Sequence, residues 1–331
     1  MKAVWHDKIG AAQDVLQVGE RPDPEPAQGE VRVRIATSGV NPSDVKRRAG
    51  SSGPLAFPWA TPNNDGAGTI DKVGPGVDPG RAGQRVWLHS SGWKRPHGTA
   101  AEYTVVPADR AVPLPDGVSF DIAAGLGVPA MTAHRAVFGF GPVQGKTVLV
   151  TGGAGAVGFY AIQLAVWGGA QVIATVSGDV KRAEAARAGA HEIINYRSDD
   201  VAERIAAITK GEGVDHVVDV DFGVNLPVTL KVLKNDGSIA TYASMGKTEP
   251  AIPFYPMMYK NIRLMWVFVY EMSAQAMAAA AKDINAWLLD SRTQHPRFHR
   301  FPLDRAVDAH LAVETGVVGK VIINVTEPAG R

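Results

Sequence analysis

The sequence predicts an α/β chain in which a doubly wound, parallel six-stranded sheet of the Rossmann type is accompanied by a β-rich unit. Three observations carry this prediction. From about residue 123 short apolar runs alternate with segments of helical composition. One of these runs leads straight into a cluster of four glycines, VLVTGGAGAVGFYAIQLA at 148–165. The first hundred residues are instead rich in glycine and proline and alternate with period two.

Taken in order, EVRVRIAT at 30–37 sets Val31, Val33 and Ile35 on one face and charges on the other, the signature of a half-buried strand. RPDPEPAQGE at 21–30 reads equally as a linker and as a connection between strands; the connection is the simpler expectation. The six apolar runs are TVLVT at 147, QVIATV at 171, HEIINY at 191, DHVVDV at 215, SIATYA at 238 and IRLMWVFVY at 262. Helices between the first five, such as KRAEAARAGA with its alanines and charges, make the sheet parallel and cover both faces. SAQAMAAAAKDINAWLLDS at 273–291 is an amphipathic helix, and GKVIINVTE at 319–327 a strand expected to return to the first unit.

A chain of 331 residues accommodates two domains. With 45% hydrophobic residues, 20% charged residues and a net charge of +1, it carries no global bias toward nucleic acid or anionic membranes, and KRR at 46–48 is short and isolated. Having no cysteine, it has no disulfide, thiolate nucleophile or cysteine-bound zinc. Asp7 and Lys8 interrupt the stretch a signal peptide would need, and no apolar run of about 18 residues exists. A cytoplasmic protein with no membrane and no nucleic-acid partner is expected.

The glycine cluster follows a strand and opens a helix, the context in which such a fingerprint binds a dinucleotide. Gly153 is expected to make the tight turn, Gly155 to admit a pyrophosphate and Gly158 to let helix pack on strand, with the amides that follow, at Ala156 and Val157, turned to the phosphates. An NAD site commonly places an acid at the tip of the second strand; here Ser177 stands there and Lys181 follows within reach of a 2′-phosphate. NADPH is therefore the expected cofactor. Asp179 leaves NAD open, and Lys181 with Arg182 also reads as a solvated helix face.

SGVNPSDVKRRAG at 38–50, DGAGTIDKVGPGV at 65–77, GTAAEYTVVP at 98–107, VPAMTAHRAV at 128–137, the glycine fingerprint, INYRSDD at 194–200 and GKVIINV at 319–325 occur in this order. Through them the chain resembles, over essentially its whole length, the medium-chain dehydrogenase/reductase superfamily, and within it the zinc-free branch similar to zeta-crystallin and NADPH:quinone oxidoreductases. The resemblance implies a GroES-like β-rich catalytic domain from 1–122 and 271–331 and a Rossmann domain at 123–270. Zinc-dependent members carry cysteine where this chain has Asn41, and histidine and glutamate where it has Asn64 and Asp65. Those ligands are missing, so no zinc is expected, and His89, His97 and His134 read as packed or surface histidines. Without a metal to polarise a carbonyl, the acceptor must already be electrophilic, a quinone or an α,β-unsaturated carbonyl.

The resemblance further implies that Asn41 and Asp44 orient substrate or nicotinamide, a pair that also reads as an Asn-Pro turn capped by Asp44. By the same likeness Thr132 meets the nicotinamide end, Ser177, Lys181 and Tyr196 form the adenosine-phosphate pocket, and Phe268 and Val269 approach the nicotinamide ring. Trp59, Trp87, Trp93, Tyr255, Tyr259 and Tyr270 are candidates for an acceptor-pocket wall, with Tyr255 and Tyr270 as possible proton donors. The run at 262–270 is implied to pair with its twin in a homodimer. A dedicated enal, enone or enoyl reductase, or a silent NADPH-binding structural protein, are the competing readings.

Overall fold

The computed structural model describes residues 1–51 and 53–326; Ser52 and residues 327–331, the end of the expected tail strand and β-rich unit, lie outside the described residues. Along the chain run β1 (Lys2–Trp5), α1 (Ala12–Val15), β2 (Gln17–Glu20), β3 (Glu30–Val40), α2 (Pro42–Ala49), β4 (Asp65–Val73), β5 (Arg85–Leu88), β6 (Tyr103–Pro107) and β7 (Ala111–Pro113). Then come α3 (Phe120–Ala123), α4 (Gly127–Phe138), β8 (Thr147–Val150), α5 (Ala156–Trp167), β9 (Gln171–Val176), α6 (Asp179–Arg187), β10 (Glu192–Asn195), α7 (Val201–Ile208) and β11 (Val214–Asp219). The last elements are α8 (Phe222–Val232), β12 (Leu233–Thr241), α9 (Phe254–Tyr259), β13 (Arg263–Trp266), α10 (Ala274–Leu288), β14 (Phe298–Pro302), α11 (Ala306–Glu314) and β15 (Lys320–Asn324). Among the described residues no helix is long and apolar enough to cross a membrane.

The chain divides into two compact units, residues 1–128 with the segment from 297 onward, and residues 129–296. The sequence places these divisions at 122 and 270 instead. The later boundary moves because α10 buries Ala280, Ile284 and Trp287, and Trp287 meets Tyr160 of α5 edge-on at 5.7 Å. The earlier one moves because the Asp65 carboxylate on β4 accepts the Val128 amide at 2.7 Å, tying the first residues of α4 to the β-rich unit.

In the first unit a mixed sheet runs β14-β15-β3-β4-β5-β7, with β6 also paired to β3. Alternation along β3 works as the sequence predicts: Val31, Val33 and Ile35 are fully buried and pack with Ile70, Val86 and Val106. The stretch at 21–30 joins β2 to β3, as a connection should. β15 enters beside β3, antiparallel, with Val321 opposite Val40 and Asn324 opposite Thr37, so the tail does complete the first unit's sheet.

The second unit holds six strands in the order β10-β9-β8-β11-β12-β13, every pair parallel. This is the doubly wound dinucleotide-binding order, with its reversal between β9 and β11 on either side of β8. Leu149, Ile173, Val217 and Ile239 from successive strands form one core with Phe222 of α8. α5 buries every residue from Gly158 to Ala165, consistent with its nearly uninterrupted apolar sequence. The run at 262–270 is shorter as a strand than its composition predicts: β13 ends at Trp266, where its pairing with β12 ends at Thr241, and Phe268 and Val269 lie just beyond.

Candidate active site

The glycine turn connects β8 to α5. The left-handed backbone sits at Gly152, with φ of +67°, and not at Gly153, which the sequence reading assigned to the tight turn. Gly153 serves packing: a Cβ there would come to 2.9 Å from Ile162 and 3.0 Å from Ala174. Gly158 admits the helix as expected, since its Cβ would lie 2.3 Å from the Gly152 carbonyl oxygen. Gly155 differs from both. It is exposed, its Cβ would meet nothing closer than 3.5 Å, and it caps a helix whose first residues Ala156 and Val157 are half-buried. The turn is held to β9 by the Gly153 amide donating to the Thr175 carbonyl at 3.0 Å and the Gly152 amide to the Thr175 hydroxyl at 3.3 Å.

At the carboxyl ends of β8, β9 and β11, where α/β sheets bind ligands, lies a cavity of about 470 Å³ lined in part by Thr151, Gly152, Thr175, Tyr196, Val220 and Asn225. Its acids are committed to the fold. Asp200 caps α7 by accepting the Glu203 amide at 3.0 Å, and Asp199 accepts the Asn195 amide at 3.1 Å. Asp221 accepts the Gly246 amide at 3.1 Å. Asp219, at the end of β11 and not itself a lining residue, is buried and accepts from two that are, the Thr151 hydroxyl at 2.8 Å and the Asn225 side-chain amide at 2.7 Å. Burial raises the Asp219 carboxyl above its ordinary range against these hydrogen bonds. Asp219 was not singled out in the sequence; its signal is an acid closing the apolar run DHVVDV.

Beyond β9, Lys181 Nζ donates to Ser177 Oγ at 3.0 Å, so the two predicted phosphate partners are neighbours. Tyr196 follows β10 and is exposed, while Asp179 is the exposed first residue of α6. Thr132 is buried within α4. Phe268 is exposed and meets the buried Tyr270 at 5.4 Å. The candidate wall aromatics differ in burial within their own units. Trp87 is fully buried in β5, whereas Tyr255 and Tyr259 are exposed on α9 and face each other at 5.9 Å. His89 packs near Trp87 at 6.1 Å, and His97 meets Trp59 at 5.3 Å. His134, in the other unit, bonds Asp283 at 2.9 Å. Among the described residues no group of three or more His, Cys, Asp or Glu is placed to hold a metal ion.

Asn41 and Asp44 lie in a buried polar cluster of the first unit. Asn41 is the N-cap of α2, and its backbone amide donates to Asp44 Oδ2 at 2.8 Å, so the capped Asn-Pro turn is real. The side chains are also spoken for. Asn41 Nδ2 donates to Asp65 Oδ2 at 2.7 Å, Asn41 Oδ1 accepts from Lys320 Nζ, and Asn64 Nδ2 donates to Asp44 Oδ1 at 2.6 Å. Lys320 Nζ also stands 3.5 Å from Asp65. Burial, then the charge of Asp65, pushes the Asp44 carboxyl up to about 6, against the Asn64 and Asn41 hydrogen bonds. Burial likewise pushes the Lys320 ammonium below its ordinary range, opposed by both aspartates. DGAGTI and GKVIINV are far apart in the chain, and the one sign in the sequence that they meet is a charged residue at the head of an apolar strand.

A glycine turn at the switch point of a doubly wound sheet, in a chain whose tail completes a β-rich unit, is the arrangement of a two-unit oxidoreductase of the dinucleotide-binding class. Residues 156–285 match the family described as zinc-binding dehydrogenase, and residues 27–116 the alcohol dehydrogenase GroES-like domain. The chain is 29% identical to quinone oxidoreductase of Rattus norvegicus over 98% of its own length and 97% of the relative's. Among solved structures, an NAD-dependent alcohol dehydrogenase is similar at 30% identity and a TM-score of 0.87, covering 98% of this chain and 100% of that one. Quinone oxidoreductase of Escherichia coli, solved with NADPH, is similar at 25% identity and a TM-score of 0.86, with coverage of 98% and 100%. The chain belongs to the medium-chain dehydrogenase/reductase family, in its zeta-crystallin-like, quinone oxidoreductase branch, and is an oxidoreductase.

Proposed function

We propose that this oxidoreductase is a cytoplasmic, zinc-independent homodimer that uses NADPH to reduce quinones or α,β-unsaturated carbonyls. The observation that carries the cofactor reading is the Ser177–Lys181 contact at the end of β9, a hydroxyl and an ammonium 3.0 Å apart where an NAD site would present an acid to the ribose. The exposed Gly155, with no protein atom within 3.5 Å of a would-be Cβ, fits the close approach of a pyrophosphate. NADPH, when bound, supplies the hydride.

The chain's residues then have separable tasks. Gly155 and the amides of Ala156 and Val157 receive the diphosphate, Ser177, Lys181 and Tyr196 the 2′-phosphate end, and Thr132, Phe268 and Val269 the nicotinamide end. Asn41 and Asp44 act by ordering the acceptor side of the first unit, since their polar atoms are bonded within the fold. The positions that hold zinc in other members are occupied here by Asn41, Asn64 and Asp65, which bond one another's network. The acceptor must therefore be activated by its own conjugation.

Titration of the purified protein with NADPH and NADH, followed by cofactor absorbance with a quinone and an enone, with and without chelator, tests this reading. NADPH oxidation insensitive to chelator is expected. Equal affinity for the two nucleotides would overturn the cofactor assignment, and loss of turnover with chelator would overturn the metal-free one.

A further inference from the structure

Asp219 is a fully buried acid at the end of β11, and the partners of its side chain are neutral. Three donors converge on Oδ1: the Thr151 hydroxyl at 2.8 Å, the Asn225 side-chain amide at 2.7 Å and the Asp221 backbone amide at 3.0 Å. Oδ2 is buried with no partner. A buried carboxylate is ordinarily matched by a cation, whereas the charge that bears on this one is a second carboxylate, that of Asp221. Hydrogen bonds to an ionised oxygen favour the ionised form, and Asp221 and Asn225 bring the amino end of α8 beside it as well. Neutral dipoles thus hold the charge in place without cancelling it.

Its position decides what such a charge does. Thr151, Asn225 and Asp221, which carry the donors, all line the cavity at the carboxyl ends of β8, β9 and β11, so Asp219 stands one hydrogen bond behind the cavity wall. The Thr151 hydroxyl also accepts the Val220 amide at 2.9 Å, and Thr151 leads directly into Gly152, the left-handed residue of the glycine turn. The acid is thereby tied to the turn read above as the seat of the diphosphate. The titratable groups around it are acids too. Asp199, Asp200 and Asp221 line the same cavity. Tyr242, whose backbone amide donates to the Asp219 carbonyl at 3.2 Å, has its phenol pushed above the ordinary range by burial and then by the charge of Asp219. A diphosphate brings further negative charge to these surroundings, where burial leaves repulsion weakly screened.

We propose that Asp219 sets cofactor affinity: its buried charge, matched by no cation among the described residues, repels the dinucleotide diphosphate and keeps both nicotinamide nucleotides bound less tightly than the glycine turn alone would hold them. The proposal rests on the dinucleotide reading above. Because NADPH and NADH share the diphosphate, the effect is common to both, unlike that of Lys181, which bears on the 2′-phosphate.

Asp219→Asn isolates the charge, since its side-chain oxygen still meets the same donors and its amide takes the place of the unpartnered Oδ2. Fluorescence titrations of wild type and variant with NADPH and with NADH test the proposal. The variant is expected to bind both nucleotides about threefold or more tightly, and by a similar factor. Unchanged binding overturns the proposal, and weaker binding overturns it in favour of a supporting role for the wall. If the variant does not fold, calorimetry of the wild type with ADP-ribose decides, because this ligand keeps the diphosphate and lacks the 2′-phosphate. Its affinity should rise as pH falls from neutral toward the ordinary aspartate range, with a proton taken up on binding, since burial raises the Asp219 carboxyl and an incoming anion raises it further. A flat affinity without proton uptake overturns the proposal. Equal wild-type affinity for NADPH and NADH overturns the NADPH assignment and leaves the Asp219 comparison intact, whereas binding of neither nucleotide overturns both.

Discussion

Gly155 and Gly158 sit in one turn and do different things. Adding a methyl at Gly158 forces it to 2.3 Å from the Gly152 carbonyl, a backbone atom that cannot swing aside. Gly158→Ala is expected to cost about 1–3 kcal/mol of stability, visible as a lower Tm. Gly155→Ala meets only an ordinary contact at 3.5 Å, so its Tm should stay near wild type while NADPH affinity falls. Equal loss of Tm in both would show that the turn is structural throughout. Lys181, exposed and bonded to Ser177, is argued to meet a phosphate. Lys181→Ala should weaken NADPH binding roughly tenfold, the lower end for a hydrogen bond to a charged group, and leave NADH little changed in parallel titrations. At this scale the sequence shows which residues belong to the turn, because glycine is so restricted in its uses. It does not show that the strained backbone lies at Gly152, since neighbouring glycines in VTGGAG are interchangeable to the eye.

The legible elements are those whose period matches their burial. β3, with Val31, Val33 and Ile35 inward, and the six parallel strands, with short β-branched runs between helices, are read directly from sequence. β13 is less legible because composition overstates it. Apart from Arg263 the run IRLMWVFVY is apolar, yet only Arg263–Trp266 form the strand, and the ladder with β12 closes on the Val267 amide, which donates to the Thr241 carbonyl at 2.8 Å. β13 is the outer strand of its sheet, and Trp266 on it is exposed, as are Phe254, Tyr255 and Tyr259 of α9. Unpaired edges with exposed aromatics are a pairing liability unless covered. Covering by a second copy is the reading proposed above, and Trp266→Arg is then expected to shift the mass measured by light scattering from dimer toward monomer. A wild type that is already monomeric would refute that use of the edge. The cluster of Asp44, Asp65 and Lys320 was hidden for another reason: its members come from α2, β4 and β15, and no local pattern records a contact spanning 255 residues.

That cluster also ties the stability of the molecule to pH. The Asp44 carboxyl is raised to about 6 in the fold, above its value in an unfolded chain, so the folded state binds the proton more tightly. The stabilisation is complete below the ordinary aspartate range and is lost as pH rises through about 6. Asp44→Asn keeps the shape without the titration, so the Tm of wild type should fall relative to the variant over that window. Parallel curves would mean that Asp44 carries no shifted proton. The class of the fold, its glycine turn and its cofactor expectation are thus readable from the chain itself, whereas charge balance in the interior emerges only when distant segments are brought together.

The docking of β15 between β14 and β3 has a consequence for the order in which the molecule is made. A ribosome releases residues 129–296 before the last strand of the first unit exists. The inserted unit can therefore reach its native state while the earlier-synthesised residues still wait, their β3 edge open and Asp65 without its lysine, for Lys320 to leave the exit tunnel. Nascent chains arrested ahead of residue 320 should accordingly yield a protease-resistant fragment from the middle of the sequence and none from its beginning. Protection of the first 128 residues in such chains would show that the waiting half closes without its final strand.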